Sequence, residues 1–307
     1  MTVWDPIYLA TVFNSSIRMM TPILFVALGS AMCVRVQIFN IGLEGMMLTG
    51  AFFAIVANYF TGSIILSLVA AMVSSMLVAL LAGIFMVKFK GAMLVVGIAI
   101  NILMGAITTF LLQVIFGIRG AFVSPELVSL PRFELAFLSR WPVLQTMFAT
   151  LTPLDLFAFI AAILLYIYMF KTVSGFRLRS VGINKEAAMS LGVNGDRTQI
   201  MTVVFSGLLS GLGGCLLVMG TVTLFAQNIT AGRGFLALAA STMGAAHPLG
   251  TIASSALFGF AQGVSSIMQH SELMSSELTL GFPYMATIVA LAIYGFIQVR
   301  RSKSLGR

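Results

Sequence analysis

Residues 64–87 read IILSLVAAMVSSMLVALLAGIFMV, an apolar stretch without a charged side chain. A helix of this length, at about 1.5 Å per residue, crosses the roughly 30 Å hydrocarbon core of a bilayer. A Thr-Gly-Ser turn at 61–63 precedes it, and Lys88 and Lys90 follow it, as is typical of a helix that reaches a membrane surface. The stretch therefore predicts a transmembrane helix, and similar stretches recur along the chain.

The composition extends this prediction to the whole molecule. Apolar residues make up 59% and charged residues 8% of the chain, and the mean hydropathy is +1.06. A soluble domain could not bury that much apolar surface. We expect an all-α, polytopic transmembrane bundle of about nine spans, with eight to ten possible, in a single domain over residues 1–307. The first firm span covers 19–34, and the mixed segment 1–18 is predicted to lie at the interface.

Lys and Arg positions predict the orientation of these spans. One face of the membrane receives most of them: Arg35, Lys88, Lys90, Lys171, Arg177, Arg179, Lys185, Arg197, Arg300, Arg301, Lys303 and Arg307. The opposite face receives only Arg18, Arg119, Arg132, Arg140 and Arg233. The positive-inside tendency places the larger set, and with it the C-terminus, in the cytoplasm. Residues 117–153 then form an extracytoplasmic loop, and 232–246 must cross as a thin span or half-helix.

The segment 171–199, KTVSGFRLRSVGINKEAAMSLGVNGDRTQ, is the long basic interruption of the apolar pattern. Asn184 is a suitable N-cap, Glu186 favours a helix N-terminus, and Gly192 can end a helix in the left-handed conformation. These residues predict a two-turn surface helix with an apolar stripe. A solvated connector does not need such a stripe, so we interpret the segment as a docking surface for another protein.

Several segments resemble a known family. Glu186-Ala187-Ala188, followed by Gly192, is similar to the start of the EAA-type motif of ABC importer permeases, although the sequence departs from the usual continuation after Gly192. Further matches are FNIGLEGMMLTGAFFA (39–54), VVGIAINILMGAITTFLL (95–112), GFRLRSVGINKEAAMSLGV (175–193), GRGFLALAASTMGAAHPLG (232–250) and FPYMATIVALAIYG (282–295). Together they resemble the branch that handles branched-chain amino acids, simple sugars and nucleosides, and most of all its nucleoside-type permeases.

This resemblance implies the partners and the location. A homologous permease, often a different one, would complete a heterodimer in the bacterial inner membrane, in contact with membrane lipid. An extracytoplasmic binding protein would deliver the solute, and two cytoplasmic ATPases would receive the coupling helix. Its residues would be Asn184, Lys185, Glu186, Ala187, Ala188, Leu191 and Gly192. The chain has no G-x-x-x-x-G-K-[ST] sequence, so ATP and Mg²⁺ belong to the ATPases and we expect no cofactor and no enzymatic activity here.

The segment around Glu44 carries the first group of candidate pathway residues. Glu44 is the only acid between Asp5 and Glu126, and an ionisable group inside the membrane requires a partner or water. Asn40 and Glu44 lie at a break between two spans, where they either contact ligand or form a structural pair, Glu44 with Arg35 or with backbone amides at a helix start. Asn101, in mid-span, forms either an interhelix hydrogen bond or a ligand contact.

A weak internal repeat supplies the second group. Asn40-Ile41 precedes one span, and Asn228-Ile229 precedes GRGF (232–235), which predicts an inverted pair of broken helices on opposite faces. Asn228 and Phe235 therefore join the candidate pathway residues. Gly207 and Gly211, four residues apart, predict close helix packing.

Other functions fit the sequence less well. A stand-alone secondary transporter or channel remains an alternative, but such proteins usually carry more charged residues in mid-span. His247 and His270 form no metal motif, and the absence of H-E-x-x-H and G-x-S-x-G argues against an enzyme. The +8 net charge lies in connections between spans, so we expect no nucleic-acid partner. The cargo is predicted to be a nucleoside, with a simple sugar or a riboflavin-like ligand as alternatives.

Overall fold

The computed structural model describes residues 6–133 and 141–270, together with the single positions 285 and 292. Its helices are α1 (Pro6–Arg35), α2 (Leu43–Thr61), α3 (Ile64–Gly83), α4 (Met93–Phe116), α5 (Pro142–Phe148), α6 (Pro153–Lys171), α7 (Val173–Ile183), α8 (Lys185–Ser190), α9 (Gly195–Cys215), α10 (Arg233–Met243) and α11 (Pro248–His270). A π-helical turn extends α3 over Ile84–Lys88 and α9 over Leu216–Val222. Apart from those two positions, the predicted span at 280–298 lies outside the described residues, and so does the basic tail.

The described part of the chain confirms the all-α transmembrane bundle. Six helices are long and apolar enough to cross a membrane: α1, α2, α3 with its π turn, α4, α6, and α9 with its π turn. The only strands in the described residues are β1 (Ala121–Phe122) and β2 (Phe225–Ala226), which pair antiparallel. This ladder ties the segment after α4 to the segment after α9. The total of about nine spans stays a prediction.

Helix α1 corrects the expectation for the N-terminal segment. The sequence predicts an interfacial piece followed by a span at 19–34, but one helix runs without interruption from Pro6 to Arg35. The polar residues that suggested a boundary have partners. Asn14 is buried, donates to the carbonyl of Met147 at 2.9 Å and accepts from the hydroxyl of Thr150 at 2.5 Å. Because these bonds satisfy the side-chain amide of Asn14, this residue can be buried within the helix.

Small residues bring the central helices into contact. Helix α9 packs along α3, and α1 packs along α11. A Cβ on Gly207 would lie 2.3 Å from the Cβ of Ala79, and one on Gly211 would lie 2.4 Å from the carbonyl oxygen of Ala71. The close packing predicted from the spacing of these glycines is therefore confirmed, and it fixes α3 against α9.

The basic segment 171–199 is more helical than the sequence predicts. Helix α7 precedes the predicted surface helix, and α9 begins at Gly195 rather than near residue 200. Two capping residues explain the difference. The Thr172 hydroxyl accepts from the amide of Gly175 at 3.1 Å, and the Asn194 side chain accepts from the amide of Arg197 at 2.9 Å. Each cap satisfies a free amide in the first turn of its helix, which allows the helix to begin there.

Candidate functional site

Two helices of the bundle begin inside it rather than at an end. Residues 36–42 lead from the end of α1 to α2, and residues 223–232 lead to α10. The partners of the first segment define its depth. Gly45 bonds to Asn101, which lies roughly 12 Å from the start of α4 at Met93, at about 1.5 Å per residue. Since α4 begins beside Lys88 and Lys90, at what we call the basic end, α2 begins well inside the bundle.

The Glu44 carboxylate joins the start of α2 to the start of α10. Its Oε1 accepts from the Thr230 hydroxyl at 2.5 Å and from the Gly232 amide at 2.8 Å. Its Oε2 accepts from the Gly234 amide at 2.6 Å, and the residue is only 7% exposed. A helix N-terminus carries free amides and a partial positive charge, so a buried carboxylate is a suitable partner. Glu44 therefore caps α10 from another helix.

Glycine makes this contact possible. A Cβ on Gly234 would lie 2.6 Å from the Cα of Glu44, so a larger residue could not approach the carboxylate. Gly232 has a φ of +77°, which favours glycine. Between them Arg233 donates to the carbonyls of Ile229 and Thr230 at 3.2 and 3.3 Å. The GRG sequence thus forms the turn that presents its amides to Glu44.

Two asparagines hold the start of α2 in a comparable way. Asn101 of α4 accepts from the Gly45 amide at 2.8 Å and donates to the Ile41 carbonyl at 3.0 Å. Asn40 accepts from the Gly42 amide at 3.1 Å and donates to the Ser206 hydroxyl at 3.1 Å. Asn101 thus makes the interhelix hydrogen bond that the sequence left open, and Asn40 makes a structural one.

Glu44 also pairs with backbone amides, as one sequence alternative proposed, but the amides belong to α10 rather than to its own helix. The other alternative, a pair with Arg35, is wrong. Arg35 instead donates to the carbonyls of Ala246 at 2.9 Å and Ala245 at 3.1 Å, just beyond the end of α10. Helix α10 therefore runs from Glu44 to the basic end, as the half-helix prediction requires.

Asn228 and Phe235 do not join the other candidates. Asn228 is exposed at a φ of +55°, and Phe235 is 48% exposed on the first turn of α10. Sequence reasoning missed Thr230 and Gly234, which contact the carboxylate directly. The paired glycines of GRG were the available signal, because glycine often marks a close backbone approach.

The surface helix α8 has the predicted cap and end. The Asn184 side chain accepts from the Ala187 amide at 3.0 Å, and Gly192 has a φ of +83° just beyond the helix. Ala188 is buried against the bundle, whereas Leu191 is 85% exposed. The helix itself ends at Ser190, so Leu191 lies in the turn that follows, whereas Met189, which is 51% exposed, is the exposed apolar side chain on the helix.

A chain of polar contacts connects α8 to the break before α2. The Lys185 ammonium lies 2.6 Å from an Asp196 carboxylate oxygen and donates to the Gln199 side chain at 2.7 Å. Gln199 in turn donates to the carbonyl of Val36 at 2.9 Å. A Cβ on Gly182 of α7 would lie 1.8 Å from the Arg35 carbonyl oxygen. The α7–α8 segment is therefore packed on the end of α1 where the broken segment begins.

Half-helices whose N-termini meet inside an apolar bundle are a construction of transport proteins. Together with the surface helix at the basic end, they define a membrane permease. Residues 12–293 match the family described as the permease component of branched-chain amino acid transport systems. The chain belongs to this family: it is a transport subunit of an ABC transporter rather than an enzyme, and ATP hydrolysis takes place in partner ATPases.

Similar proteins agree with this class. The chain is 34% identical to a guanosine ABC transporter permease protein of Bacillus subtilis, over 90% of this chain and 88% of the relative. It is also 34% identical to a nucleoside ABC transporter permease protein of Lactococcus lactis, over 89% of each. A solved structure of a metal-chelate type ABC transporter in an inward-facing conformation has a TM-score of 0.52 and 17% identity, over 94% of this chain and 89% of that chain. This last similarity supports the fold.

Proposed function

We propose that this permease imports nucleosides across the bacterial inner membrane. The similarity to permeases named for guanosine and nucleosides, over nine tenths of the chain, supports this cargo. A simple sugar or a riboflavin-like ligand is the alternative. The chain would act with a second, different permease, two ATPases and an extracytoplasmic binding protein. It would cross the membrane about nine times, with a cytoplasmic C-terminus and an extracytoplasmic loop over 117–153.

The α8 surface is the proposed ATPase contact. Asn184 and Gly192 define its two ends, Ala187 donates the capped amide, and Ala188 packs it on the bundle. The contact residues Lys185, Glu186 and Leu191 complete it. An apolar side chain as exposed as Leu191, at a membrane surface and beside charged residues, is suited to insertion into a groove of a partner.

The polar chain from Lys185 through Gln199 to Val36 is the proposed route from the ATPase to the pathway. A movement of α8 would displace Gln199, and Val36 begins the segment that leads to Glu44. Packed helices with buried hydrogen bonds move as units, so displacement at the surface can reach the break without a new contact forming. Coupling would thus consist of a shift of the α2 start relative to α10.

The proposed pathway follows the break between α2 and α10 on the face that meets the second permease. Asn40, Glu44 and Asn101 fix the two helix starts, while Asn228 is exposed on the segment that leads to α10 and Phe235 on the first turn of α10. An exposed aromatic ring can stack on a nucleobase, and an exposed amide can bond to ribose hydroxyls. The first group would then position the pathway and the second would contact the solute.

Uptake by the assembled transporter in vesicles tests the cargo. We expect uptake that needs ATP and the binding protein, with guanosine and other nucleosides as substrates and with glucose and riboflavin inactive. Uptake of glucose or riboflavin without uptake of nucleosides would show that the cargo is a sugar or a flavin instead. Uptake by this chain alone, without ATPase subunits, would replace the importer by a stand-alone transporter.

A substitution in the turn after α8 tests the coupling surface. We expect Leu191→Glu to reduce the recovery of ATPase subunits with the permease, because a charge replaces the exposed apolar contact. Val173→Glu, an equally polar change at a 69% exposed residue of α7, is the matched control. Equal ATPase recovery with the Leu191 variant and the unmodified chain would contradict the assignment.

A further inference from the structure

A long groove runs along the outside of the bundle. Helix α9 forms its floor, and α3 and α6 form its two walls, with a cavity volume of about 1230 Å³. Representative lining residues are Met72, Met76, Phe157, Leu164, Met201 and Phe205. None of these side chains is charged, and methionine adapts its shape to flexible apolar partners. The groove is therefore suited to hydrocarbon chains.

The mouth of the groove at the basic end has a different chemistry. Arg177 of α7 and Arg197 of α9 line it, together with Ser174, Asn194 and Leu191, so its rim adjoins the proposed ATPase contact. Both arginines are exposed. The acid beside them, Asp196, is bound to Lys185, and within the described ranges no ion pair involves either arginine. A shallow depression next to the mouth adds Lys88. The mouth therefore carries an excess of positive charge.

We propose that this groove binds one anionic phospholipid from the leaflet at the basic end. Its phosphate would lie between Arg177 and Arg197, whose planar guanidinium groups bind phosphate through paired hydrogen bonds. Its acyl chains would follow the walls of α3 and α6. From Tyr168 at the mouth to Leu154 the wall extends about 21 Å at 1.5 Å per residue, which exceeds the roughly 15 Å of one leaflet.

Charge complementarity selects this occupant. A transmembrane helix of another protein would fill the apolar walls, but it would leave the two arginines without an anion unless it carried acids at that depth. A phospholipid supplies an anion and two apolar chains in one molecule, and the anionic leaflet attracts basic residues at the membrane surface. The bound lipid would bridge α6, α7 and α9, and so support the segment that carries α8.

Mass spectrometry of co-purified lipid tests the proposal. The assembled transporter is purified from membranes that contain phosphatidylglycerol and phosphatidylethanolamine, and the ratio of the two bound lipids is compared with that of the membrane. We expect enrichment of phosphatidylglycerol. Arg177→Gln and Arg197→Gln should each reduce it by about fivefold, the contribution of one basic residue near an anionic surface. The double variant Arg119→Gln/Arg132→Gln, which removes exposed charges elsewhere, should leave the ratio unchanged.

A second variant tests the apolar part without removing charge. Leu164→Trp is expected to fill the groove and to lower the amount of bound phosphatidylglycerol with both arginines intact. If an arginine variant fails to assemble, this variant decides the question. An unchanged ratio in the assembled variants would overturn the proposal, as would displacement of the lipid by inorganic phosphate alone. Loss of ATPase subunits with the bound lipid unchanged would also overturn it, because the arginines would then belong to the ATPase contact.

Discussion

The two helices that begin inside the bundle are held in different ways. The start of α2 is held by neutral amides, Asn40 from its own leading segment and Asn101 from α4. The start of α10 is held by a carboxylate, Glu44, which belongs to α2. Free helix amides inside hydrocarbon must be satisfied by some partner. The difference makes the position of α10 depend on the position of α2, whereas α2 depends on α4.

The surroundings of the two helices correspond. Residues 36–42 reach the interior from the basic end, and residues 223–232 reach it from the other end, after the pairing of β2 with β1. Helices α1 and α3 flank α2 along the chain, and α9 and α11 flank α10. The helix before each break packs along the helix after the other break: α1 along α11, and α9 along α3. This exchange agrees with the predicted inverted repeat, which stays a prediction. The charged cap of α10 has no counterpart at the start of α2.

Removal of the charged cap should have the largest effect. Glu44→Ala leaves the amides of Gly232 and Gly234 without an acceptor, and we expect it to lower the free energy of unfolding by about 2–6 kcal/mol, about 1–3 kcal/mol for each amide. Thermal unfolding of the purified permease measures this loss. Glu44→Gln retains one acceptor oxygen and should lose less. Equal unfolding temperatures for the alanine variant and the unmodified chain would show that α10 does not depend on Glu44.

A steric change on the other side of the same contact should have the next largest effect. Gly234→Ala places a Cβ 2.6 Å from the Cα of Glu44 and should cost about 1–3 kcal/mol through overpacking. Gly105→Ala in α4 is the matched control, because nothing lies within 4 Å of its Cβ position. The same thermal measurement applies. A similar stability for both variants would mean that the two helix starts are not in close contact.

Much of this arrangement could be predicted from local sequence. Spans follow from apolar length, and the Asn184 cap and the Gly192 conformation depend on residues within one turn. The partner of Glu44 could not be predicted, because Thr230 and Gly234 lie far along the chain and approach it only through the packing of α10. The N-terminal half of α1 was misplaced for the same reason, since distant residues satisfy Asn14.

Removal of the neutral cap should have a smaller effect than removal of the charged one. Asn101→Ala deprives the Gly45 amide of its acceptor and the Ile41 carbonyl of its donor, and two neutral hydrogen bonds contribute about 1–3 kcal/mol together. Asn228→Gly, at an exposed residue of the opposite segment whose φ of +55° glycine adopts without strain, should leave the unfolding temperature nearly unchanged. If Asn101→Ala lowered the unfolding temperature as much as Glu44→Ala, the starts of α2 and α10 would be held equally firmly. The charged cap would then have no greater effect than the neutral one.

The smallest effect on stability is expected at the surface connection to the α2 break. Lys185→Met breaks a partly exposed ion pair with Asp196, and such pairs contribute about 0–1 kcal/mol. It also removes the donor to Gln199, which holds the Val36 carbonyl. We therefore expect nearly unchanged unfolding but less ATP hydrolysis in response to the loaded binding protein, measured on the assembled transporter. Asp196→Asn keeps the Lys185–Gln199 bond and should retain more of that response. If both variants respond like the unmodified chain, α8 does not reach the helix break through Lys185.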